Sequence, residues 1–236
     1  MNTKVLLSSG GMDSFLLAHT PELKGAVHVF VNVGQKYYKK EYPAAMFVAE
    51  SCGATLHYVR ASNFAQYEHS SGIIPLRNAE LILNAAQFGN HIYLGVIADE
   101  VNSDKSPEFL AAMKQVLDIS NRAQYWTEGT EYELLTPYRN TTKSQLVEQY
   151  LANGGDLQTL LKSVSCYSAT DEHCGQCSSC FKRWVALTNA TGNPDVQRFI
   201  VHPKHMMTRE QWADKLRGYP VDRVREVMTA LDIAGV

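Results

Sequence analysis

A short stretch of serines and glycines, Ser9-Gly10-Gly11-Met12-Asp13-Ser14, has the residue types of a phosphate-binding loop. Glycines let a backbone approach a ligand closely, and the free N–H groups and dipole at a helix N-terminus favour an anion. The stretch lacks the lysine of a Walker loop and the third glycine of the dinucleotide fingerprint. It therefore predicts a phosphate or pyrophosphate site of another kind, with a purely structural turn as the alternative.

Four of the five cysteines form a second candidate site near the C-terminal end. They are Cys166, Cys174, Cys177 and Cys180, with the spacing C-x7-C-x2-C-x2-C. Four thiolates satisfy tetrahedral zinc completely, and metal binding can supply the free energy that closes an irregular segment. The last three cysteines also match part of an iron–sulfur run, but no fourth cysteine followed by proline completes it. The pattern predicts structural zinc, with an iron–sulfur cluster as the alternative.

Two residues near these patterns are assigned no ligand role. His173 lies between the cysteines and is predicted to be exposed, because four cysteines already complete a zinc site. Cys52 lies on the apolar face of a predicted helix and is predicted to belong to the core.

The elements around the serine–glycine loop alternate between strand and helix. Apolar runs predict strands at 4–7, 25–33, 55–59 and 91–96 and an edge strand at 132–137, and helical spacing predicts helices at 42–52, 79–88, 109–119 and 142–153. This order predicts a doubly wound, mainly parallel α/β sheet. Right-handed crossovers place the loops that follow its strands at one edge, where ligands bind in such sheets.

The character of the chain changes at Ser165, where cysteine, serine and glycine become frequent. A helix is predicted from Cys180 to Asn189, and two short helical patterns follow at 210–216 and 221–231. We therefore divide the chain into an α/β domain at 1–160 and a small zinc-binding helical segment at 161–236, packed on the first domain.

Composition excludes some classes of protein. The 236 residues include 22 Lys and Arg and 24 Asp and Glu, so there is no basic excess of the kind that non-specific nucleic-acid binders carry. No apolar run approaches the roughly 18 residues needed to span a bilayer, and the N-terminus enters a strand directly. We expect a cytoplasmic protein without a membrane partner or a stable nucleic-acid partner.

Several motifs together resemble those of the 7-cyano-7-deazaguanine synthases, which belong to the PP-loop N-type ATP pyrophosphatases. The motifs are Ser9-Gly10-Gly11-Met12-Asp13-Ser14, Gly34-Gln35-x-Tyr37-x3-Glu41, Ile74-Pro75-x-Arg77-Asn78, Thr142-Lys143, Ser165-Cys166-Tyr167 and Cys174-Gly175-x-Cys177-x-Ser179-Cys180-x2-Arg183. The resemblance covers residues 4–190 and implies an adenine-nucleotide α-hydrolase-like fold. It also implies ATP and Mg²⁺ as cofactors, zinc as a structural ion, and a homodimer.

The resemblance implies a reaction as well. Enzymes of that family convert 7-carboxy-7-deazaguanine and ammonia into 7-cyano-7-deazaguanine (preQ0) through adenylylated intermediates, with release of AMP and pyrophosphate. Adenylylation gives the carboxylate, and then the amide, a good leaving group. The protein's part is to position the reactants and to neutralise phosphate charge.

Site residues follow from the resemblance position by position. The residues expected to bind ATP are Ser8, Ser9, Gly10, Gly11, Met12, Asp13, Ser14 and Gln35, and those expected to bind the deazaguanine are Gln35, Arg77, Asn78 and Asp99. Asp13, Arg77 and Lys143 are the expected catalytic residues, whereas Tyr38 and Glu41 are expected only to shape their loop. The alternatives are a salt bridge at a helix start for Arg77, a solvated first-turn lysine for Lys143 and a turn contact for Gln35.

One segment departs from the family pattern. The family carries a Tyr-Pro-Asp-Cys-Arg-like segment close to the deazaguanine, and the Cys-Arg pair is missing from residues 99–109 of this chain. Lys105 is a candidate for the missing positive charge. The departure leaves two other functions open, which are an adenylylating ligase for another carboxylate, amide or tRNA base, and a nucleotide sensor without turnover.

Overall fold

A computed structural model of the chain describes residues 2–69, 73–98, 103–168, 170 and 172–236. Within these residues, five parallel strands form one sheet in the order β3-β2-β1-β4-β5. They are β1 (Lys4–Leu7), β2 (Val27–Asn32), β3 (Leu56–Arg60), β4 (His91–Tyr93) and β5 (Glu133–Leu135). The predicted parallel α/β fold is confirmed, and β5 lies at the edge of the sheet as expected.

The helices of the described residues follow the predicted order. They are α1 (Met12–Ala18), α2 (Tyr38–Ser51), α3 (Arg77–Ala85), α4 (Pro107–Ser120), α5 (Lys143–Ala152), α6 (Leu157–Leu161), α7 (Ser178–Thr191), α8 (Arg209–Lys215) and α9 (Val221–Ile233). None of them combines the length and apolar character needed to cross a bilayer.

Most helices differ from their predicted bounds by up to three residues, and two differ more. Helix α2 begins four residues before Tyr42, because the Tyr37 carbonyl already accepts the N–H groups of Lys40 and Glu41. Helix α6 was not predicted, since its five residues are too few to show a period. Its start is fixed by Asp156, whose carboxylate accepts the Thr159 N–H at 2.8 Å.

Helices cover both faces of the sheet. Neighbouring residues of β1 point to opposite faces and are both buried, so Leu6 belongs to one core and Val5 to the other. The Leu6 core is formed with α1, α5, α6 and α7, and the Val5 core with α3 and α4. The sheet is therefore the middle layer of three, as a doubly wound fold requires.

A third core encloses the cysteine-rich segment. Cys166 and Cys180 are buried in it together with apolar residues of α7, α8 and α9, and the Phe181 and Trp212 rings stack at 3.9 Å. Helix α7 connects this core to the sheet, because Ala186 and Leu187 belong to the Leu6 core instead. The residues after Gly192 thus cover the cysteines and α7.

The order of the strands indicates where a ligand can bind. The chain moves from β1 outward to β2 and β3, and then returns to place β4 on the other side of β1. Such a reversal opens a crevice at the carboxyl ends of the two strands. Gly95, just after β4, lies against Asp13 at the start of α1, so the serine–glycine loop borders this crevice.

Candidate active site

The loop at 9–14 joins β1 to α1 and is held by its own hydrogen bonds. Gly11 is the N-cap of α1, and its carbonyl accepts the Phe15 N–H at 2.9 Å and the Ser14 hydroxyl at 3.0 Å. Ser9 Oγ accepts the Gly11 N–H at 3.3 Å. The loop therefore delivers serine hydroxyls and the start of a helix to the carboxyl end of the sheet.

Gly10 has a different task from the rest of the loop. Its φ is +72°, and a Cβ there would lie 2.6 Å from the backbone nitrogen of Ala45 on α2. Its carbonyl accepts the Val164 N–H at 2.8 Å. Gly10 thus lets the loop pack closely against α2 and the cysteine-rich segment, and it is not among the residues that line the crevice.

The crevice is a cleft with a volume of about 200 Å³. The predicted site residues that it brings together are Ser8, Ser9, Gly11, Met12, Asp13, Ser14, Gln35, Arg77, Asn78 and Lys143. Asp99, the remaining predicted substrate residue, lies outside the described residues. The predicted residues come from four separate stretches of sequence, and their convergence in one cleft is a property of the fold.

Asp13 and Lys143 form an ion pair within the cleft, although 130 residues separate them. The Lys143 ammonium lies 3.0 Å from one carboxylate oxygen of Asp13 and 3.1 Å from the other. Lys143 is the first residue of α5, whose start is fixed by a reciprocal capping box between Thr142 and Gln145. Only 8% of Lys143 is exposed, so it is not the solvated lysine of the alternative interpretation.

Arg77 enters the cleft from the first position of α3. The preceding residue, Leu76, has a φ of 59°, a left-handed conformation that costs about 1–2 kcal/mol for a residue other than glycine. Within the described residues, no carboxylate lies within ion-pair distance of the Arg77 guanidinium. Arg77 lines the cleft, and its positive charge favours the ionised form of Glu41.

Asn78 connects α3 to the segment that departs from the family pattern. The buried Asn78 amide donates to the Asp104 carbonyl at 3.3 Å, and Arg139 donates to the Lys105 carbonyl at 2.6 Å. Lys105 also lines the cleft. The described lining residues then carry three cations, Arg77, Lys105 and Lys143, and two carboxylates.

The second carboxylate is Glu41, in the first turn of α2. Gln35 holds it: the Gln35 Oε1 accepts the Val33 N–H at 2.9 Å, and the Gln35 Nε2 donates to Glu41 at 3.1 Å. Burial raises the pKa of Glu41 to about 7, against the opposing effects of the Gln35 hydrogen bond and the Arg77 charge. Glu41 was expected only to shape its loop, whereas it lines the cleft.

The cysteine-rich segment supplies one wall of the cleft. Val164, Ser165, Tyr167 and Ser179 line it, and the Tyr167 ring lies 5.2 Å from the ring of Tyr37. Burial raises the pKa of Tyr37 to about 12, so its hydroxyl stays protonated at neutral pH. Ser165 and Tyr167 belong to a motif of the sequence, but their position in the wall of the cleft was not predicted.

The four clustered cysteines are close enough to share one metal ion. Their Sγ atoms lie within 4.8 Å of one another, and those of Cys174 and Cys180 are 3.9 Å apart. A tetrahedron with bonds of 2.3 Å has sulfur–sulfur edges of about 3.8 Å. The sulfurs of Cys166, Cys174 and Cys177 accept backbone N–H groups at 3.3 to 3.4 Å, so the backbone orients them toward one another. The donor set therefore fits a zinc ion.

His173 is not exposed, and that prediction is wrong. Its Nε2 lies 3.3 Å from the Ser165 nitrogen and its Nδ1 lies 3.1 Å from the Gln197 amide, so it is part of the packing around the cysteines. Burial, with the charges of Arg183 and Lys40, lowers the pKa of His173 to about 3. The imidazole is therefore neutral and serves as a structural contact. Cys52 is partly buried at the edge of the Leu6 core, beside His19.

Comparison with known proteins gives a consistent result. The family model described as "Queuosine biosynthesis protein QueC" matches residues 68–191. A protein of Methanosphaerula palustris is 30% identical over 215 residues, which are 78% of this chain and 93% of that protein. A protein of Prochlorococcus marinus is 30% identical over 80% of this chain and 94% of its own length, and one of Chlorobaculum tepidum is 28% identical over 86% and 98%.

All three relatives are named 7-cyano-7-deazaguanine synthase. The family match spans more than half of the 236 residues and includes Arg77, Lys143 and the four clustered cysteines. The relatives extend the similarity across most of the chain. The chain therefore belongs to the QueC family of queuosine biosynthesis proteins.

Proposed function

We propose that the protein is an ATP-dependent enzyme that converts 7-carboxy-7-deazaguanine and ammonia into 7-cyano-7-deazaguanine through adenylylated intermediates, with release of AMP and pyrophosphate. The observation that carries the proposal is the single cleft that joins the serine–glycine loop, the Asp13–Lys143 pair and Arg77. Membership in the QueC family and the shared name of the relatives support the same reaction.

ATP is assigned to the loop and the start of α1. The Ser9 and Ser14 hydroxyls and the N–H groups around Gly11 would bind phosphate oxygens, with Ser8 and Met12 completing the wall. Gln35 borders the same space at the carboxyl end of β2. Gly10 contributes through the close packing that fixes the loop.

Asp13 is the residue that we assign to Mg²⁺, an ion that would neutralise phosphate charge when bound. Lys143 approaches both oxygens of this carboxylate, so the pair holds a cation and an anion at the phosphate end of the cleft. Arg77 offers the planar fork that suits pyrophosphate, and Lys143 acts as a point charge. These groups would stabilise the negative charge that accumulates as pyrophosphate leaves.

The acceptor is assigned to the same cleft, beside the nucleotide. Gln35, Asn78 and Arg77 are the proposed contacts to the deazaguanine, together with Asp99, and Lys105 is the proposed replacement for the missing arginine. Ammonia would then attack the activated carboxylate. The fold holds both reactants at one edge of the sheet, which is the contribution of proximity to such a reaction.

The cysteines are assigned a structural zinc ion. Four sulfur ligands would leave no open coordination position, so the metal would hold the segment at 166–180 and would take no part in the chemistry. We propose the division into domains at 1–160 and 161–236, a homodimer, no stable nucleic-acid partner, and a location in the cytoplasm, where thiols stay reduced.

The proposal is tested with purified protein, ATP, Mg²⁺, ammonium and 7-carboxy-7-deazaguanine, with the products followed by mass spectrometry. We expect the nitrile together with AMP and pyrophosphate. A folded protein that binds ATP and forms no nitrile would contradict the proposal. Pyrophosphate release with tRNA or another carboxylate in place of the deazaguanine would then identify a related ligase.

A further inference from the structure

Two carboxylates line the described part of the cleft, and they are placed differently. Asp13 is neutralised by the Lys143 ammonium at 3.0 Å. Glu41 has only a neutral hydrogen-bond partner within the described residues, the amide of Gln35. A partly buried carboxyl without an ion pair is costly to desolvate, so it calls for another set of donors.

The orientation of the Glu41 carboxyl is fixed before any ligand arrives. The Val33 N–H binds the oxygen of the Gln35 amide, which leaves the Gln35 nitrogen to donate to Glu41 Oε2. Glu41 itself belongs to the first turn of α2, where its N–H donates to the Tyr37 carbonyl at 3.1 Å. Helix α2 and the Gln35 amide therefore hold the Glu41 carboxyl in the cleft as a pre-oriented hydrogen-bond acceptor.

The two rings that would share the cleft are the deazaguanine of the substrate and the adenine of ATP. They differ in the hydrogen-bonding groups that they offer to a carboxylate. A guanine-type ring carries adjacent N–H donors, one on the ring and one on the 2-amino group, which match the two oxygens of a carboxylate. The Watson–Crick edge of an adenine-type ring has a donor next to a ring-nitrogen lone pair, and that lone pair would face a carboxylate oxygen. A carboxylate therefore favours the first ring and disfavours the second.

We propose that Glu41 binds the adjacent N–H donors of the acceptor's 2-aminopyrimidinone ring and so selects a guanine-type acceptor. This assignment deepens the proposed function and rests on it. The raised pKa of Glu41 agrees with a carboxyl that lacks a strong donor, since two N–H groups from a ligand would favour its ionised form.

An aromatic pair lies beside this carboxyl. Tyr37 precedes Glu41 by one helical turn, and the half-exposed Tyr167 packs against its ring at an interplanar angle of 36°. Aromatic faces of this kind stack on heterocyclic bases. The cleft thus offers hydrogen-bond acceptors at the edge of a base and an aromatic surface near its face.

The test compares Glu41→Gln with the wild type and with Glu50→Gln, a control on the exposed side of the same helix. The Michaelis constants for 7-carboxy-7-deazaguanine and for ATP are measured separately in nitrile formation. We expect Glu41→Gln to raise the KM for the deazaguanine by about 10- to 100-fold, because a charge-assisted contact is lost. The KM for ATP and the kcat should change by less than about threefold, and Glu50→Gln should match the wild type.

A second variant and a second ligand make the result decisive. Glu41→Asp, which keeps the charge but shortens the reach, should give an intermediate KM. Inhibition by 7-carboxy-7-deazaadenine should be weak in the wild type and stronger in Glu41→Gln, because an amide can donate to the ring nitrogen. Melting curves show whether both variants are folded.

Each other outcome overturns the assignment. An unchanged KM for the deazaguanine would show that Glu41 does not touch the acceptor, and an equal rise for ATP would place it at the nucleotide. A fall in kcat without a change in KM would indicate proton transfer instead of recognition. A wild type that forms no nitrile would overturn the proposed function, and this assignment with it.

Discussion

The cleft and the cysteine-rich segment are held in place by different forces. The loop at 9–14 lies between β1 and α1, where Leu6 and Phe15 are completely buried, so apolar burial in the Leu6 core fixes it. The described residues from Ser163 to Cys177 contain no helix or strand. Their positions depend on directional contacts to the sulfurs and to Arg183. The serine–glycine loop is therefore positioned by an apolar core, whereas the cysteine site is positioned by contacts to its own sulfur atoms and to Arg183.

The two regions meet at a few contacts. The Val164 N–H donates to the Gly10 carbonyl, and the Lys40 ammonium donates to the Thr170 carbonyl at 2.6 Å. Tyr167 forms part of the cleft wall. Disorder of the cysteine-rich segment should therefore open the cleft on one side and leave the sheet intact.

Cys177→Ser is expected to have the largest effect, because it removes a metal ligand and keeps the helix cap. Cys177 Sγ accepts the Cys180 N–H at the start of α7, and a serine hydroxyl can do the same. Binding of structural zinc contributes about 10–16 kcal/mol in small zinc-dependent peptides. We expect loss of the metal, a lower melting temperature and rapid proteolysis within 165–180.

Cys52→Ser is the matched control, since Cys52 lies away from the cluster, beside His19. It should keep the metal content and the protease resistance of the wild type. A soluble Cys177→Ser protein that contains no metal and melts normally would show that the segment does not need a ligand to hold it.

Asp13→Asn tests the other region, where we expect chemistry to fail and the fold to survive. The variant keeps the shape of the side chain and removes the charge that faces Lys143. Loss of one electrostatic group at a reacting centre typically lowers kcat by roughly 10²- to 10³-fold. Pyrophosphate release should fall by this factor, with little change in the melting temperature.

Asp214→Asn is the control for this substitution, because Asp214 lies on the surface in an exposed pair with Arg217. It should leave pyrophosphate release unchanged. If Asp13→Asn also turned over at the wild-type rate, Asp13 would not be catalytic and the nucleotide-sensor interpretation would gain support.

Local patterns in the sequence explain why much of this arrangement was predictable. The serine–glycine loop, the cap at Thr142 and the cysteine spacing each lie within a short stretch of sequence, and the parallel direction of the strands follows from their alternation with helices. These features predicted the parallel sheet, its ligand edge and the cluster of sulfurs. The proposed roles of the site residues remain predictions.

What the sequence did not predict depends on contacts between distant residues. His173 is held by Ser165 and Gln197, which no local pattern connects to it. The position of Glu41 in the cleft was not predicted, because its hydrogen bond with Gln35 depends on α2 beginning at Tyr38, before the predicted start at Tyr42. In a segment without regular structure, buried side chains do not recur at a fixed spacing in the sequence. Such contacts are therefore seen only in the folded structure.

Arg183→Lys tests the polar network that supports the cysteine-rich segment and should have the smallest effect of the three. Arg183 is completely buried, and its guanidinium donates to Ser163 Oγ at 2.8 Å, to the Leu161 carbonyl at 3.1 Å and to Gln197. Burial lowers its pKa to about 10, while the nearby Cys180 and Asp13 oppose that shift. The guanidinium is therefore a buried cation that neutral oxygens satisfy.

A lysine keeps the charge but cannot reproduce the planar fork, so at least one of these acceptors loses its partner. An unsatisfied buried group costs about 1–3 kcal/mol, and we expect the free energy of unfolding in urea to fall by that amount while the metal content stays unchanged. Arg225→Lys, in an exposed ion pair with Asp222, should change stability by less than about 0.5 kcal/mol. Equal stability of Arg183→Lys and the wild type would mean that the metal ligands alone position the segment. A measured loss with the metal still bound would show that the polar network and the sulfurs contribute separately to the wall of the cleft.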